Sequence, residues 1–195
     1  MIEPKYSKSE KNGLNLIRSQ DKNIYSVGIS TAGFAEIEMV KGKPSRKVIA
    51  TSIHKKGLQD TRNIIEEQGL SNQIVVKFED ISKKLMYKNE SFDYVYARLV
   101  LHYLNNRELQ ASLNELHRVL KKKGHIYVVV RSIKDPDAGK IDRIFYTKDS
   151  ISTKLRESGF TIDYVIEYKE QLYHDYLRTQ PHPLRSHLIE IHAKR

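Results

Sequence analysis

Between residues 24 and 130 five strand-sized apolar runs alternate with segments of helical spacing, and this alternation narrows the possible folds to a few. The runs cover residues 24–29, 47–53, 73–78, 92–97 and 126–130. Between them, Leu58, Thr61, Ile64 and Ile65 recur at helical spacing before Gly69, and Leu109, Leu113, Leu116 and Leu120 do so before Gly124. A strand that returns through a helix pairs in parallel with the next one by a right-handed crossover. The pattern therefore predicts an α/β, doubly wound sheet with ligands at the carboxyl ends of its strands, near the switch in strand order. Ile126-Tyr127-Val128-Val129-Val130 has no polar alternation, as expected of a central strand covered on both faces.

The last third breaks the rhythm. Residues 150–158 read as a helix stopped by Gly159, whereas 160–168 and 188–193 read as strands with no helix between them, hence an antiparallel pair at the sheet edge. Residues 170–186, with Pro181 and Pro183, read as a polar, aromatic connection. The expected architecture is a mostly parallel seven-stranded sheet with an antiparallel C-terminal edge, in one domain over residues 23–195. Residues 1–22 read as an N-terminal helical extension, with Ser9 as candidate N-cap and a weak apolar face of Leu14, Leu16 and Ile17.

The turn after the first run is rich in small residues: Gly28, Ser30, Thr31, Ala32 and Gly33. Such residues let the backbone approach a ligand closely, and the helix that follows offers unpaired N–H groups. The spacing departs from Gly-x-Gly-x-x-Gly, because Ser30 and Ala32 stand where further glycines would be.

Other chemistries find few residues to use. The chain has no cysteine, which removes disulfides and thiolate metal sites. Charges through residues 1–11 exclude a secretory signal and no apolar run is long enough for a membrane span, so a cytoplasmic protein is expected. There is no nucleophile elbow and no phosphate-binding lysine loop. His174, His182 and His187, with Tyr173 and Tyr176, match no compact metal-ligand spacing and read as a surface loop, so no metal site is expected. The net charge of +10 admits a nucleic-acid partner held in a salt-dependent way. The lysines nonetheless fall in loops and at helix ends, where solvated charge is ordinary; Lys121, Lys122 and Lys123 are expected to close a helix C-terminus.

Ser91-Phe92-Asp93-Tyr94-Val95-Tyr96-Ala97-Arg98-Leu99-Val100-Leu101-His102-Tyr103-Leu104, then Leu116-His117-Arg118-Val119-Leu120-Lys121 and Gly124, is similar to the fourth strand, following helix and fifth strand of the class I S-adenosylmethionine-dependent methyltransferases. Over about residues 20–195 the order of elements resembles that family. The continuation over 130–140 looks like its small-molecule branch, which includes tellurite-resistance-type methyltransferases. The resemblance implies S-adenosylmethionine as cofactor and a small-molecule acceptor. It puts Gly28 at the first glycine of the cofactor turn, Asp80 and Ile81 against the adenine, and Ala97, Arg98 and Leu99 beneath the methionine part.

The motif is degenerate. Ser26 replaces the acid near the methionine ammonium, Ser30 and Ala32 replace glycines, and Ser52 replaces the acid that takes the ribose hydroxyls; Glu79 and His54 are the nearby groups able to substitute. Two function classes are therefore open: an active methyltransferase, or a non-catalytic pseudo-methyltransferase serving as a binding module, including for RNA. Two residues are catalytic candidates. His102 could accept a proton near neutral pH or be a packed core histidine; Arg131 could clamp an anionic acceptor or form a structural ion pair.

Overall fold

The computed structural model describes residues 6–29, 33–173 and 181–195. Its seven strands are β1 (Asn23–Val27), β2 (Lys47–Ser52), β3 (Ile74–Phe78), β4 (Phe92–Arg98), β5 (Leu120–Arg131), β6 (Thr161–Tyr173) and β7 (Pro181–Lys194). They form one sheet in the order β3-β2-β1-β4-β5-β7-β6. β1 to β5 are mutually parallel, and β7 runs antiparallel to both β5 and β6. This is the expected doubly wound, mostly parallel seven-stranded sheet with its antiparallel C-terminal edge.

Five helices accompany the strands: α1 (Lys8–Asn15), α2 (Phe34–Val40), α3 (Lys55–Glu67), α4 (Asn106–Val119) and α5 (Lys148–Glu157). Strand alternation sends Tyr25, Val95, Ile126 and Val128 to one face, where Leu109, Leu113 and Leu116 of α4 and Ile151 and Leu155 of α5 cover them. Ile24, Tyr94, Tyr127 and Val129 go to the other face, against Met39 of α2 and Ile65 of α3. Each fully buried leucine of α4 contributes about 1.5–3 kcal/mol of transfer free energy, and this two-sided burial explains the unbroken apolar run in β5.

The N-cap of α4 is Asn105, whose side chain accepts from the N–H groups of Arg107 and Glu108 at 3.0 Å each. The helix ends at Val119, before Gly124. Leu120 is already extended and fully buried, so Lys121, Lys122 and Lys123 lie in the irregular start of β5 and do not close the helix. Lys121 instead pairs with Asp93 of β4 at 2.8 Å, and His117 and Arg118 occupy the last helical turn. The N-cap of α1 is Ser7, not Ser9. The Glu10 carboxylate accepts from the Ser7 N–H at 3.1 Å and from its hydroxyl at 3.0 Å, while Ser9 is buried with its N–H donating to Glu170 of β6 at 2.8 Å.

Gly13 of α1 lies against the Tyr96 and Tyr127 rings so closely that a Cβ there would meet their carbons at 2.5 and 2.6 Å. The tyrosines also hold the helix by hydrogen bonds: Tyr94 donates to the Gly13 carbonyl at 2.8 Å and Tyr127 to the Ser9 carbonyl at 2.6 Å.

The stretch 170–186 is not simply a connection. β6 continues to Tyr173 and β7 starts at Pro181, with Glu170 opposite Ser186 and Gln171 opposite Arg185. His182 and His187 are thus strand residues, whereas His174 and Tyr176 lie outside the described residues. Among the described residues no helix is long and apolar enough to cross a membrane, and no group of His, Cys, Asp or Glu could hold a metal ion.

Candidate functional site

The strand order reverses between β1 and β4, and a cleft of about 440 Å³ opens there at the carboxyl ends of β1 to β4. Its polar wall is Ser52, His54, Glu79 and Asp80; Ile29, Leu99, Val100 and Tyr103 supply much of the apolar wall. Gly28 bounds the cleft with φ +74°, which L side chains rarely adopt, and a Cβ there would meet Val100 at 2.7 Å. Its N–H donates to the Thr51 carbonyl at 2.8 Å, tying the turn to the end of β2. Ser30 and Ala32 lie outside the described residues.

Ser26 is buried at the end of β1, and its hydroxyl donates to the Glu36 carboxylate at 2.6 Å. Glu36 is 1% exposed and is not among the residues the sequence singles out. A signal existed: it precedes Met39 and Val40 by three and four positions, which puts a carboxylate on the buried face of α2. A charged residue in that register is rarely placed there without a polar partner.

Ser52 ends β2, and its hydroxyl oxygen accepts from the His54 N–H at 3.1 Å; His54 in turn N-caps α3, with Nδ1 accepting from the Gly57 N–H at 3.1 Å. Asp80 follows β3 and accepts from the Ser82 N–H at 2.9 Å, closing a turn that presents Ile81 to the cleft. Near the end of β4, Ala97 is fully buried and does not line the cleft, whereas Leu99, just beyond the strand, does. Leu99 has φ 54°, a left-handed conformation unusual for a bulky side chain, and its N–H is held by the Val129 carbonyl at 2.8 Å.

Arg98 goes the other way. Its guanidinium donates to Ser9 and Ser7 hydroxyls at 2.7 Å each and lies 3.9 Å from Glu10, so it fastens α1 to the sheet and does not line the cleft. His102 is 3% exposed, stacked on Tyr103 at 4.6 Å, and its Nδ1 has no hydrogen-bond partner among the described residues. Burial, with Arg131 and Arg143 nearby, pushes its pKa down to about 3, so the ring is neutral and weakly basic at neutral pH. Arg131 donates to Asp135 at 3.1 Å and Asp137 at 2.7 Å, the structural ion pair that organises the loop after β5. Neither His102 nor Arg131 lines the cleft.

A family of proteins described as "Methyltransferase domain" matches residues 26–128, more than half of the chain and the whole of this cleft. The chain belongs to that family. No curated protein matches the sequence. Among solved structures, this methyltransferase is similar to a SAM-dependent methyltransferase from Methanosarcina mazei, at 18% identity and TM-score 0.73, covering 93% of this chain and 95% of that one. A SAM-dependent methyltransferase from Aquifex aeolicus gives 17% and 0.70, covering 96% and 89%. The [4+2]-cyclase SpnF gives 13% and 0.74, covering 95% and 80%. At these identities the likeness shows a common fold, and the cyclase shows that one fold can carry different chemistry.

Proposed function

We propose that this methyltransferase binds S-adenosylmethionine in the cleft at the ends of β1 to β4 and transfers its methyl group to a small-molecule acceptor. The observation that carries the reading is the conjunction, at the topological switch point, of Gly28 in a left-handed turn with Asp80 across the cleft. The residues present fit the cofactor: Gly28 gives space for close backbone approach, Asp80 is an acceptor suited to the adenine amine, and Ile81 and Leu99 are apolar walls. When bound, the sulfonium supplies an activated methyl group. The chain's own work is then to align the acceptor and exclude water. His102, held neutral by burial, serves as packing beneath Tyr103, and Arg131 shapes the loop after β5; an acceptor whose nucleophile is already neutral and unprotonated needs no base from either.

Titration calorimetry with S-adenosylmethionine and S-adenosylhomocysteine tests this. Micromolar binding is expected, weakened about 10- to 100-fold by Asp80→Ala. Absence of heat and of any thermal shift at millimolar ligand would overturn the reading.

A further inference from the structure

The carboxylate missing at the end of β2 has a counterpart one strand away. Ser52 and Phe78 are register partners, and the Glu79 N–H donates to the Ser52 carbonyl at 3.2 Å, so Glu79 sits immediately beside the position where the acid is absent. Its side chain is half-buried in the cleft wall. One oxygen, Oε1, accepts two tyrosine hydroxyls: Tyr25 from β1 at 2.5 Å and Tyr87 at 3.2 Å. Among the described residues the other oxygen, Oε2, has no hydrogen-bond partner.

The clamp is rigid. Tyr25 stacks on Phe92 at 5.0 Å, and Tyr87 meets both rings edge-on at 5.4 and 5.0 Å, so both hydroxyls are fixed by packing. Burial and the neighbouring Glu79 raise the pKa of both tyrosines, which keeps them protonated and donating. A carboxylate whose one oxygen is occupied by two fixed donors presents the other as a pre-oriented acceptor, and hydroxyl donors are the ligand chemistry that matches it. At the end of β2 itself the groups are less able to hold a diol, because the His54 Nδ1 is taken by its cap and Ser52 carries no charge; the other carboxylate of the wall, Asp80, is the one the cofactor reading assigns to the adenine amine.

We infer that Glu79, clamped by Tyr25 and Tyr87, is the hydroxyl-binding anion of this cleft and takes the vicinal diol of the cofactor's ribose in place of an acid at position 52. This rests on the cofactor reading above, and the test separates the two. Wild-type and Glu79→Gln proteins are titrated with S-adenosylhomocysteine and with its 2′,3′-dideoxy analogue. Glutamine keeps an oxygen for the tyrosines but loses the charge. The wild type should bind S-adenosylhomocysteine about 10- to 100-fold more tightly than the analogue, and Glu79→Gln should erase most of that difference by weakening only the diol-bearing ligand. Tyr87→Phe, which leaves the strand ends untouched, should lose part of the same discrimination. Should Glu79→Gln bind S-adenosylhomocysteine as the wild type does, or weaken both ligands equally, the assignment of Glu79 is overturned while the cofactor reading stands. Failure of the wild type to bind either ligand overturns both.

Discussion

Acidification from pH 7 to pH 5 should remove about 4 kcal/mol of folding stability, an unusually steep response for a change that leaves most carboxylates ionised. Two rings drive it. Burial pushes His102 down to about 3, and burial with the adjacent His125 pushes His192 down to about 4, against an ordinary value of 6.5. Each folded-state value lies below its unfolded one, so as the pH falls the unfolded chain takes up the proton first. The stability is fully present above about pH 6.5 and declines by about 1.4 kcal/mol per unit and per ring until each folded value is reached. Asp21, Glu115 and Glu167, whose carboxyls are held below their ordinary range, add acid sensitivity only further down, as the pH falls through 4.5 and 3.8. The charged neighbours of His102 are Arg131 and Arg143; those of His192 are Asp163, Lys194 and Arg18, with the titratable ring of His125 beside it. Thermal unfolding should show a fall in midpoint of about 10 °C between the two pH values. The variant His102→Leu should halve the pH dependence; an unchanged dependence would acquit that ring.

Substituting Gly13 by alanine should destabilise the protein by about 3 kcal/mol, although alanine is the better helix former by about 1 kcal/mol. The new methyl would stand 2.5 to 2.6 Å from carbons of Tyr96 and Tyr127. Neither ring can yield cheaply, since both are buried and stacked on one another at 5.7 Å, and Tyr127 is bonded to Ser9. Relief must come from α1 lifting away, and that strands buried carboxylates: Glu170 loses the Ser9 N–H and Glu190 loses the Asn12 amide, at 2.8 and 2.9 Å. Urea unfolding would report the loss, and limited proteolysis should cut within residues 6–22 far faster. A higher midpoint for Gly13→Ala would show that α1 is not seated as described.

The alternation of runs and helical spacings was enough to read the sheet, because strands buried on both faces have no choice but to be apolar, as Val128 and Val129 are. Boundaries were harder where two signals competed. Gly124 reads as a helix stop, yet burial of Leu120 in an extended conformation ends α4 earlier. The outer part of the β6–β7 pair carries no strand signal because it runs past Arg131, the last β5 residue paired with β7, so its residues have no need of a regular apolar pattern. In the site, the small-residue turn after β1 marks Gly28 and the family resemblance puts Asp80 at the end of β3, and both line the cleft. Arg98 and Leu99 are neighbours in sequence but only Leu99 lines it, and the serines and glutamate that draw Arg98 towards α1 come from a helix whose docking no local pattern reveals. The Glu36 carboxylate is legible as buried from its register with Met39 and Val40, but its partner Ser26, ten positions away, is not.

The hydrogen bonds of α1 to the last two strands reach across most of the chain, with Ser9 and Glu170 separated by 161 positions and Asn12 and Glu190 by 178. A ribosome therefore releases this helix long before the strands that hold it exist. Eight residues are too few to persist as an isolated helix in water, so α1 is made before the other described helices and is among the last of them to settle. Until β6 and β7 join the sheet, the Tyr94, Tyr96 and Tyr127 face that α1 covers is an open apolar surface on a nascent chain, and the speed of that final closure sets how long the face is exposed to other chains.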